Sequence, residues 1–182
     1  MSRKYKFWDS NKMYFISFAT VNWIDVFTRN EYRDILLESW KHCQKEKGLE
    51  IFGWCIMPSH VHMIVSSHDS KLEDIIRDMK SFTSRKIREA ITNHPQESRR
   101  EWMRWMMERA GKNNLSNNDW QFWQQNNMPL EIMGKEKFLE ILQYVHMNPV
   151  VAGFVNAPEN WIYCSANGYE KNNGLIVLKE LE

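Results

Sequence analysis

The apolar and polar positions in the first half of the chain predict the order strand, helix, strand, strand, helix. Residues 13–21 are rich in aromatic and β-branched side chains, which is typical of a strand. Residues 31–47 carry apolar side chains at helical spacing, with Asn30 as the predicted N-cap and Gly48 as the stop. We therefore expect a strand followed by one long helix.

A hairpin and a second helix are predicted next. Residues 50–57 and 60–66 have the composition of strands, and Pro58-Ser59 separates them because proline has no backbone N–H for a central ladder. So short a connection predicts an antiparallel pair. Residues 72–91 then place their apolar side chains along one helical face.

The second half of the chain has a weaker pattern. Residues 93–128 mix tryptophans with polar residues and an asparagine-rich patch at 113–118, so irregular, loop-rich structure is predicted there. A short strand near residues 130–133 would complete a βαββαβ order. Residues 135–146 predict a third helix, which Pro149 is expected to terminate.

These elements predict an α+β fold of the ferredoxin-like or RRM-like type, a sandwich with an antiparallel sheet, helices on one side and a C-terminal helix. A length of 182 residues with 43% hydrophobic and 26% charged side chains matches a single domain covering residues 1–182. No apolar run approaches the ~20 residues of a membrane span. Three cysteines without a Cys-x-x-Cys pair argue against a disulfide framework or a zinc knuckle, and they favour a cytoplasmic protein.

Charge is distributed unevenly along the chain. The formal net charge is only +1, so bulk electrostatics does not indicate a polyanionic partner. Residues 77–109 nevertheless contain nine Lys or Arg against five Asp or Glu. Both a solvated helix face and a surface for nucleic acid are compatible with this excess of positive charge.

Two histidines are the first candidates for chemistry. His60 and His62 are two apart on a predicted strand, so their side chains point to the same side and form a two-nitrogen half-site for a divalent metal. Ile64 shares that side of the strand, which leaves open the alternative that these histidines belong to a buried face.

A tyrosine and an asparagine on the third predicted helix are the second candidates. Tyr144 and Asn148 are four residues apart and therefore lie one turn from each other on one face. One is suited to act as a nucleophile and the other as a ligand. The alternative is a tyrosine that merely packs on an amphipathic helix. His146 points elsewhere, and a structural role is expected for it.

Both candidate groups stand within recognisable motifs. Residues 54–64, WCIMPSHVHMI, resemble the W-x-x-M-P-[NS]-H-h-H-h-h signature, with h hydrophobic, of the REP-associated tyrosine transposases, which are relatives of the single-tyrosine HUH transposases. Residues 144–155, YVHMNPVVAGFV, are similar to the Y-[IV]-H-x-N-P-x-x-A-G-h-V segment of that family. Pro158 to Trp161 and Ser165-Ala166 resemble its P-x-x-W…S-[SA] ending. The resemblance extends from the first strand to about Tyr169.

The chain departs from the family pattern at two positions. Trp123-Gln124 matches a W-Q pair in the middle of the family, but Met128 stands where a histidine is expected. Val151 stands where many members have a basic residue. The first change puts a catalytic accessory histidine in doubt, and the second puts a phosphate contact in doubt.

The resemblance implies a mechanism and a cofactor. His60 and His62, with Asn148 as the chosen third ligand, would bind Mg²⁺ or Mn²⁺. Tyr144, the expected catalytic tyrosine on the C-terminal helix, would attack a DNA phosphate to give a 5′-phosphotyrosine and a free 3′-OH. A second 3′-OH would then displace the tyrosine, so rejoining needs no ATP.

The resemblance also implies the partners. The expected substrate is single-stranded DNA beside a hairpin, such as a repetitive extragenic palindrome, in a bacterial cytoplasm. Relatives include monomers and dimers, and a homodimer is the expectation. The expected phosphate contacts lie on the second helix, and tryptophans are candidates for stacking on unpaired bases: Arg77, Lys80, Arg85 and Arg88 for phosphates, and Trp102, Trp105, Trp120 and Trp123 for bases.

Two other functions remain open at this stage. A domesticated transposase would recognise DNA hairpins without cutting them. A hydrolytic metal phosphodiesterase would use water as the nucleophile, and Tyr144 would then be structural.

Overall fold

The computed structural model describes residues 7, 9–114, 119–125, 127, 129–169 and 174–181. Within them the chain forms four strands, four helices and two short 3-10 turns. The strands are β1 (Tyr14–Ala19), β2 (Leu49–Ile56), β3 (His60–Ser67) and β4 (Leu130–Glu131). The helices are α1 (Asn30–Lys47), α2 (Leu72–Asn93), α3 (Arg100–Lys112) and α4 (Gly134–Val151), and the turns are Val21–Trp23 and Pro158–Asn160.

The four strands form one antiparallel sheet in the order β2-β3-β1-β4. β2 and β3 are joined by the predicted tight connection, which the backbone N–H of Met57 closes by donating to the carbonyl of His60 at 2.8 Å. The predicted α+β class with a ferredoxin-like βαββαβ order is confirmed, with α3 inserted between α2 and β4.

The sheet carries a hydrophobic core on each face. Alternate side chains of β1 and β3, such as Ile16 and Met63, pack against α1 and α2 in the larger core. The opposite face, which includes Cys55 and Ile64, is covered by one side of α4. Period-two alternation therefore sends His60 and His62 to the α4 side, because they share a face with Ile64.

The edge of β1 that β4 leaves unpaired is covered by the irregular segment that precedes β4. β4 pairs with only two residues of β1. The segment before it continues alongside, since Ser17 N donates to the carbonyl of Asn127 at 3.2 Å and Gln124 N donates to that of Ala19 at 2.8 Å. Residues 122–125, 127 and 129–131 therefore satisfy much of the exposed backbone of β1 without forming a long strand.

Helix α3 corrects the prediction of irregular structure over residues 93–128. Its buried side is carried by Met103, Met107 and Gly111 at intervals of four, and Gly111 lies against the backbone of Trp120. Trp102 and Trp105 lie on the exposed side. Large aromatic side chains on the solvent face make the apolar periodicity of this helix hard to recognise in the sequence. Of the asparagine-rich patch, residues 115–118 lie outside the described residues.

Two helix boundaries also differ from prediction. Helix α1 begins at Asn30 itself, and Arg29 occupies the N-cap without a side-chain cap, so the predicted cap is wrong. Helix α4 continues to Val151 with Pro149 inside it. The proline removes one i→i−4 hydrogen bond in the last turn, and the helix ends two residues later. No described helix combines the length and apolarity that a membrane span requires.

Candidate active site and nucleic-acid interface

The two predicted metal ligands lie together at the end of β3. The ring centroids of His60 and His62 are 4.8 Å apart. Their partners across the sheet on β1 are Ala19 and Ser17, which have small side chains and leave room beside the imidazoles. The Ser59 hydroxyl is 3.3 Å from Nδ1 of His60. That contact leaves Nε2 of His60 available to a ligand.

Burial keeps both imidazoles neutral. His62 is 5% exposed, and this burial, together with the neighbouring His60, lowers its pKa to about 3. Burial also lowers the pKa of His60. The nearby side chain of Asn148 acts on the pKa of both rings in the opposite direction. Neutral imidazole is the form that binds a metal, so the environment prepares both rings for coordination.

His62 lacks the partners that a buried imidazole normally has. Neither of its ring nitrogens makes a hydrogen bond of good geometry within the described residues. Buried polar atoms without partners are costly and call for an explanation such as an ion. Phe15 stacks on the ring with centroids 5.5 Å apart, which orients it without satisfying its nitrogens. These orphaned nitrogens fit a divalent cation.

Helix α4 brings the predicted nucleophile to the histidines. The ring centroid of Tyr144 is 5.4 Å from that of His62, and the tyrosine is 53% exposed. Phe15 contacts the same tyrosine with centroids 5.9 Å apart. Tyr144 lies at the surface beside the buried imidazole.

The seating of α4 explains why Tyr144 and Asn148 reach the sheet. The helix buries one stripe in the second core, and Leu142 of that stripe fits against Gly53, where a side chain would meet it at 2.5 Å. His146 lies on another side of α4, where its Nε2 is 2.8 Å from the Ser165 hydroxyl, away from His60 and His62. The burial of one stripe therefore fixes the rotation that presents Tyr144 and Asn148.

The third ligand that the resemblance implies, Asn148, lies outside the usual set of His, Cys, Asp and Glu. Within the described residues no group of three such side chains is close enough to hold a metal. Asn148 lies near both imidazoles, and its Nδ2 donates to the carbonyl of Tyr144 at 2.9 Å. That bond occupies the amide nitrogen and leaves Oδ1, an oxygen of the kind that Mg²⁺ and Mn²⁺ accept.

A groove of about 850 Å³ runs along α2, and all four predicted phosphate contacts line it. Its opposite wall is the segment from Trp120 to Gln125 together with Asn127. The wall of the groove is hydrogen-bonded to β1 next to the candidate metal site, because Gln124 N donates to the carbonyl of Ala19 and Ala19 is the strand partner of His60.

The basic residues of the groove differ in how free they are. Arg77 is paired with Asp74 at 2.6 Å and with Asp78 at 2.9 Å. Lys80 is enclosed, with its Nζ donating to the carbonyl of Gln124 at 2.8 Å and to Oδ1 of Asn127 at 2.7 Å, and burial lowers its pKa to about 8.

Arg85 and Arg88 are less committed to acidic partners. Arg85 lies 5.9 Å from the ring of Phe82. Arg88 lies 4.8 Å from the ring of Trp120, and its ion pair with Asp119 is long, with a nitrogen-to-oxygen distance of 3.9 Å. Both guanidinium groups therefore retain donors for an anion in the groove.

The four predicted stacking tryptophans separate into three kinds. Trp102 and Trp105 are exposed on α3, outside the groove. Trp120 lines the groove beside Arg88. Trp123 is buried, and its indole N–H donates to the Thr83 hydroxyl at 3.0 Å. It therefore holds the wall of the groove against α2.

Sequence reasoning missed Trp23. Its ring centroid is 5.5 Å from that of His60, and no periodicity or motif in the sequence pointed to it. Of the two departures from the family pattern, Met128 lies outside the described residues, whereas Val151 is exposed in the last turn of α4.

Comparisons with known proteins identify a family for this chain. The family model described as "Transposase IS200 like" matches residues 10–117, more than half of the chain, including the histidine pair but not Tyr144. No curated protein sequence matches the chain closely.

The fold is also found among solved structures. A structure of a REP-associated tyrosine transposase bound to a REP hairpin is 16% identical, covers 100% of this chain and 93% of the other, and superimposes with a TM-score of 0.67. A putative transposase from Deinococcus radiodurans is 18% identical, with 80% and 94% covered and a TM-score of 0.44. The relationship predicted from the sequence motifs is confirmed, and this chain belongs to the IS200-like transposase family.

Proposed function

We propose that this protein is a metal-dependent strand transferase that cleaves single-stranded DNA near a hairpin and rejoins it. The observation that carries the proposal is that the exposed Tyr144 contacts His62, with His60 and Asn148 beside it. Membership of a transposase family supports it independently.

His60, His62 and Asn148 are the residues that would hold Mg²⁺ or Mn²⁺. The orphaned nitrogens of His62, the lowered pKa values and the free Oδ1 of Asn148 support this assignment. Such an ion, when bound, polarises the scissile phosphate and offsets charge on the leaving oxygen.

Tyr144 supplies the nucleophile. Its phenolic oxygen forms a bond to phosphorus, the bond from phosphorus to the 3′ oxygen breaks, and the phenolic proton is lost as the 3′ oxygen gains one. The products are a 5′-phosphotyrosine and a 3′-OH. In the reverse sense, another 3′-OH attacks the phosphotyrosine, so the bond energy is conserved in the ester.

The groove along α2 is the proposed path for the DNA backbone. Arg85 and Arg88 are available for phosphates, and Lys80 has one remaining N–H after its two hydrogen bonds. The structural relative is described with a REP hairpin, which suggests hairpin oligonucleotides as the first substrates to test.

A covalent-adduct assay tests the proposal. Hairpin oligonucleotides with single-stranded flanks, labelled on either side of the hairpin, are incubated with the protein and Mn²⁺ and run on a denaturing gel. We expect a protein-linked band that requires Tyr144 and disappears in Tyr144→Phe. Tyr169→Phe, which alters another partly exposed tyrosine near the second core, is the matched control and should retain the band.

The same gel, run beside a native gel that detects binding, separates the two rival functions. Hairpin binding without any adduct would indicate a domesticated binding protein. Cleavage that persists in Tyr144→Phe without a protein-linked product would indicate a hydrolytic phosphodiesterase. Either result contradicts the proposal.

A further inference from the structure

Trp23 is an exposed tryptophan placed against a proposed metal ligand. Its side chain is 58% exposed, and its ring meets that of His60 with centroids 5.5 Å apart and planes at 69°. A large apolar ring at the surface loses the stabilisation that burial would give it. Its position therefore points to a surface that is covered when a ligand binds.

The backbone at this position is held in an unfavourable conformation. Asn22 and Trp23 have φ values of 53° and 55°, and they are the two residues other than glycine with positive φ in the described part of the chain. Side chains rarely adopt this left-handed region, and such strain clusters at functional sites.

Thr20 secures the strained turn to the strand connection beside His60. Its N–H donates to the carbonyl of Ser59 at 2.8 Å, and its hydroxyl donates to the carbonyl of Ile24 at 2.7 Å. Trp23 N closes the turn by donating to the carbonyl of Thr20 at 3.1 Å. The turn is thus fixed on both sides of Trp23, while the indole ring extends to solvent.

The rings at the site form a continuous series of contacts. Trp23 contacts His60, His60 contacts His62 at 4.8 Å, and His62 contacts Tyr144 at 5.4 Å. The histidine pair therefore separates Trp23 from the nucleophile. In phosphoryl transfer the attacking and leaving oxygens lie on opposite sides of phosphorus. A phosphate held at the histidines and attacked by Tyr144 would direct its leaving 3′ oxygen towards Trp23.

We propose that Trp23 is a stacking platform for the unpaired base of the nucleotide that carries the leaving 3′ oxygen, an assignment that rests on the proposed function. Every base offers a flat π-face, so this contact tolerates any sequence. It would hold the released 3′ end in place until rejoining.

A fluorescence scan along the single-stranded flank of the DNA tests the platform. In a Tyr144→Phe background, which prevents covalent capture, 2-aminopurine is placed at successive positions of the single-stranded flank of a hairpin oligonucleotide. We expect quenching at one position to depend on Trp23. The quenching should be lost in Trp23→Ala and kept in Trp23→Phe. Trp102→Ala, which removes an equally exposed tryptophan on α3, is the matched control and should retain it.

An abasic scan gives the size of the effect. An abasic nucleotide at the quenched position should weaken binding by roughly 5- to 140-fold with Trp23 present. It should have little further effect in Trp23→Ala. Equal losses in both proteins, or a flank in which no position depends on Trp23, would overturn the platform. So would a Trp23→Ala variant that binds Mn²⁺ less tightly while its base quenching is unchanged, because Trp23 would then only orient His60.

The results distinguish this inference from the proposed function. A Tyr144-dependent adduct together with Trp23-independent quenching overturns the platform alone. Trp23-dependent quenching without any adduct from the Tyr144-containing protein supports base stacking on Trp23, but it contradicts cleavage and with it the assignment of that base to the leaving nucleotide. Where an adduct forms, its cut should lie immediately 3′ of the quenched base, and a cut on the other side would overturn the assignment.

Discussion

Asn148 donates a hydrogen bond from its side-chain nitrogen to the backbone carbonyl of Tyr144, 2.9 Å away and one turn earlier in α4. This bond fixes the orientation of the amide relative to the proposed nucleophile. It also leaves Oδ1 as the atom available to a metal. The position of the third proposed ligand is thus coupled to the helix that carries the tyrosine.

Replacement of Asn148 tests its role as a ligand. Asn148→Ala should lower Mn²⁺ affinity by at least about tenfold, since even groups that only orient a ligand are worth about 10- to 100-fold. Asn148→Asp keeps an oxygen and should retain binding. Isothermal titration calorimetry measures both affinities without any DNA. Gln143→Ala, an exposed amide on α4, is the control, and Mn²⁺ binding by Asn148→Ala that equals wild type would place the third ligand elsewhere.

Metal binding should be unusually resistant to acid. Two imidazoles with the ordinary pKa of about 6.5 would together lose roughly 100-fold in affinity between about pH 7.5 and about pH 5.5. Burial lowers the pKa of His62 to about 3 and also lowers that of His60, so fewer protons compete with the metal over this interval. We expect a much smaller loss when Mn²⁺ titrations are repeated across the range. A full 100-fold fall would mean that the rings titrate as if exposed.

The salt dependence of DNA binding should distinguish two arginines of the groove. Arg88→Ala should reduce the slope of log affinity against log salt by about 1, because each phosphate contact releases about 0.9 counterion. Arg77→Ala should reduce it less, since Asp74 and Asp78 already neutralise that side chain. Fluorescence anisotropy with a labelled hairpin measures the slopes.

A lysine outside the groove provides the control for the salt experiment. Lys41 is partly exposed on α1 and pairs with Glu38. Lys41→Ala should leave the slope unchanged. Equal slopes for Arg88→Ala and Lys41→Ala would remove the α2 groove from the proposed DNA path.

Tyr144 and His62 of one chain should act together. Their rings are in contact, with centroids 5.4 Å apart, so the proposed nucleophile and a proposed metal ligand meet within a single copy. Mixing Tyr144→Phe with His62→Ala should therefore not restore the covalent adduct. Circular dichroism would establish that each variant is folded before mixing. Restored adduct would show instead that two copies exchange tyrosines, as in a dimer with shared sites.

The sequence by itself determined the local arrangement of the site. Period-two alternation in β3 was enough to put His60 and His62 on one face, and helical spacing was enough to put Tyr144 and Asn148 on another. The family motifs added the order in which these pairs occur. Both inferences depend on geometry that repeats over a few residues, which is why they could be made before the fold was known.

Only the tertiary structure decided which elements meet. The contact of Tyr144 with His62 depends on how α4 buries its stripe against β2, and the contact of Trp23 with His60 depends on the bonds of Thr20 to the strand connection. Helix α3 was missed because methionines carry its buried side while tryptophans face solvent. Periodicity reports which face of an element is buried, but the partner of that face is set by long-range packing and backbone hydrogen bonds, which no short segment encodes alone.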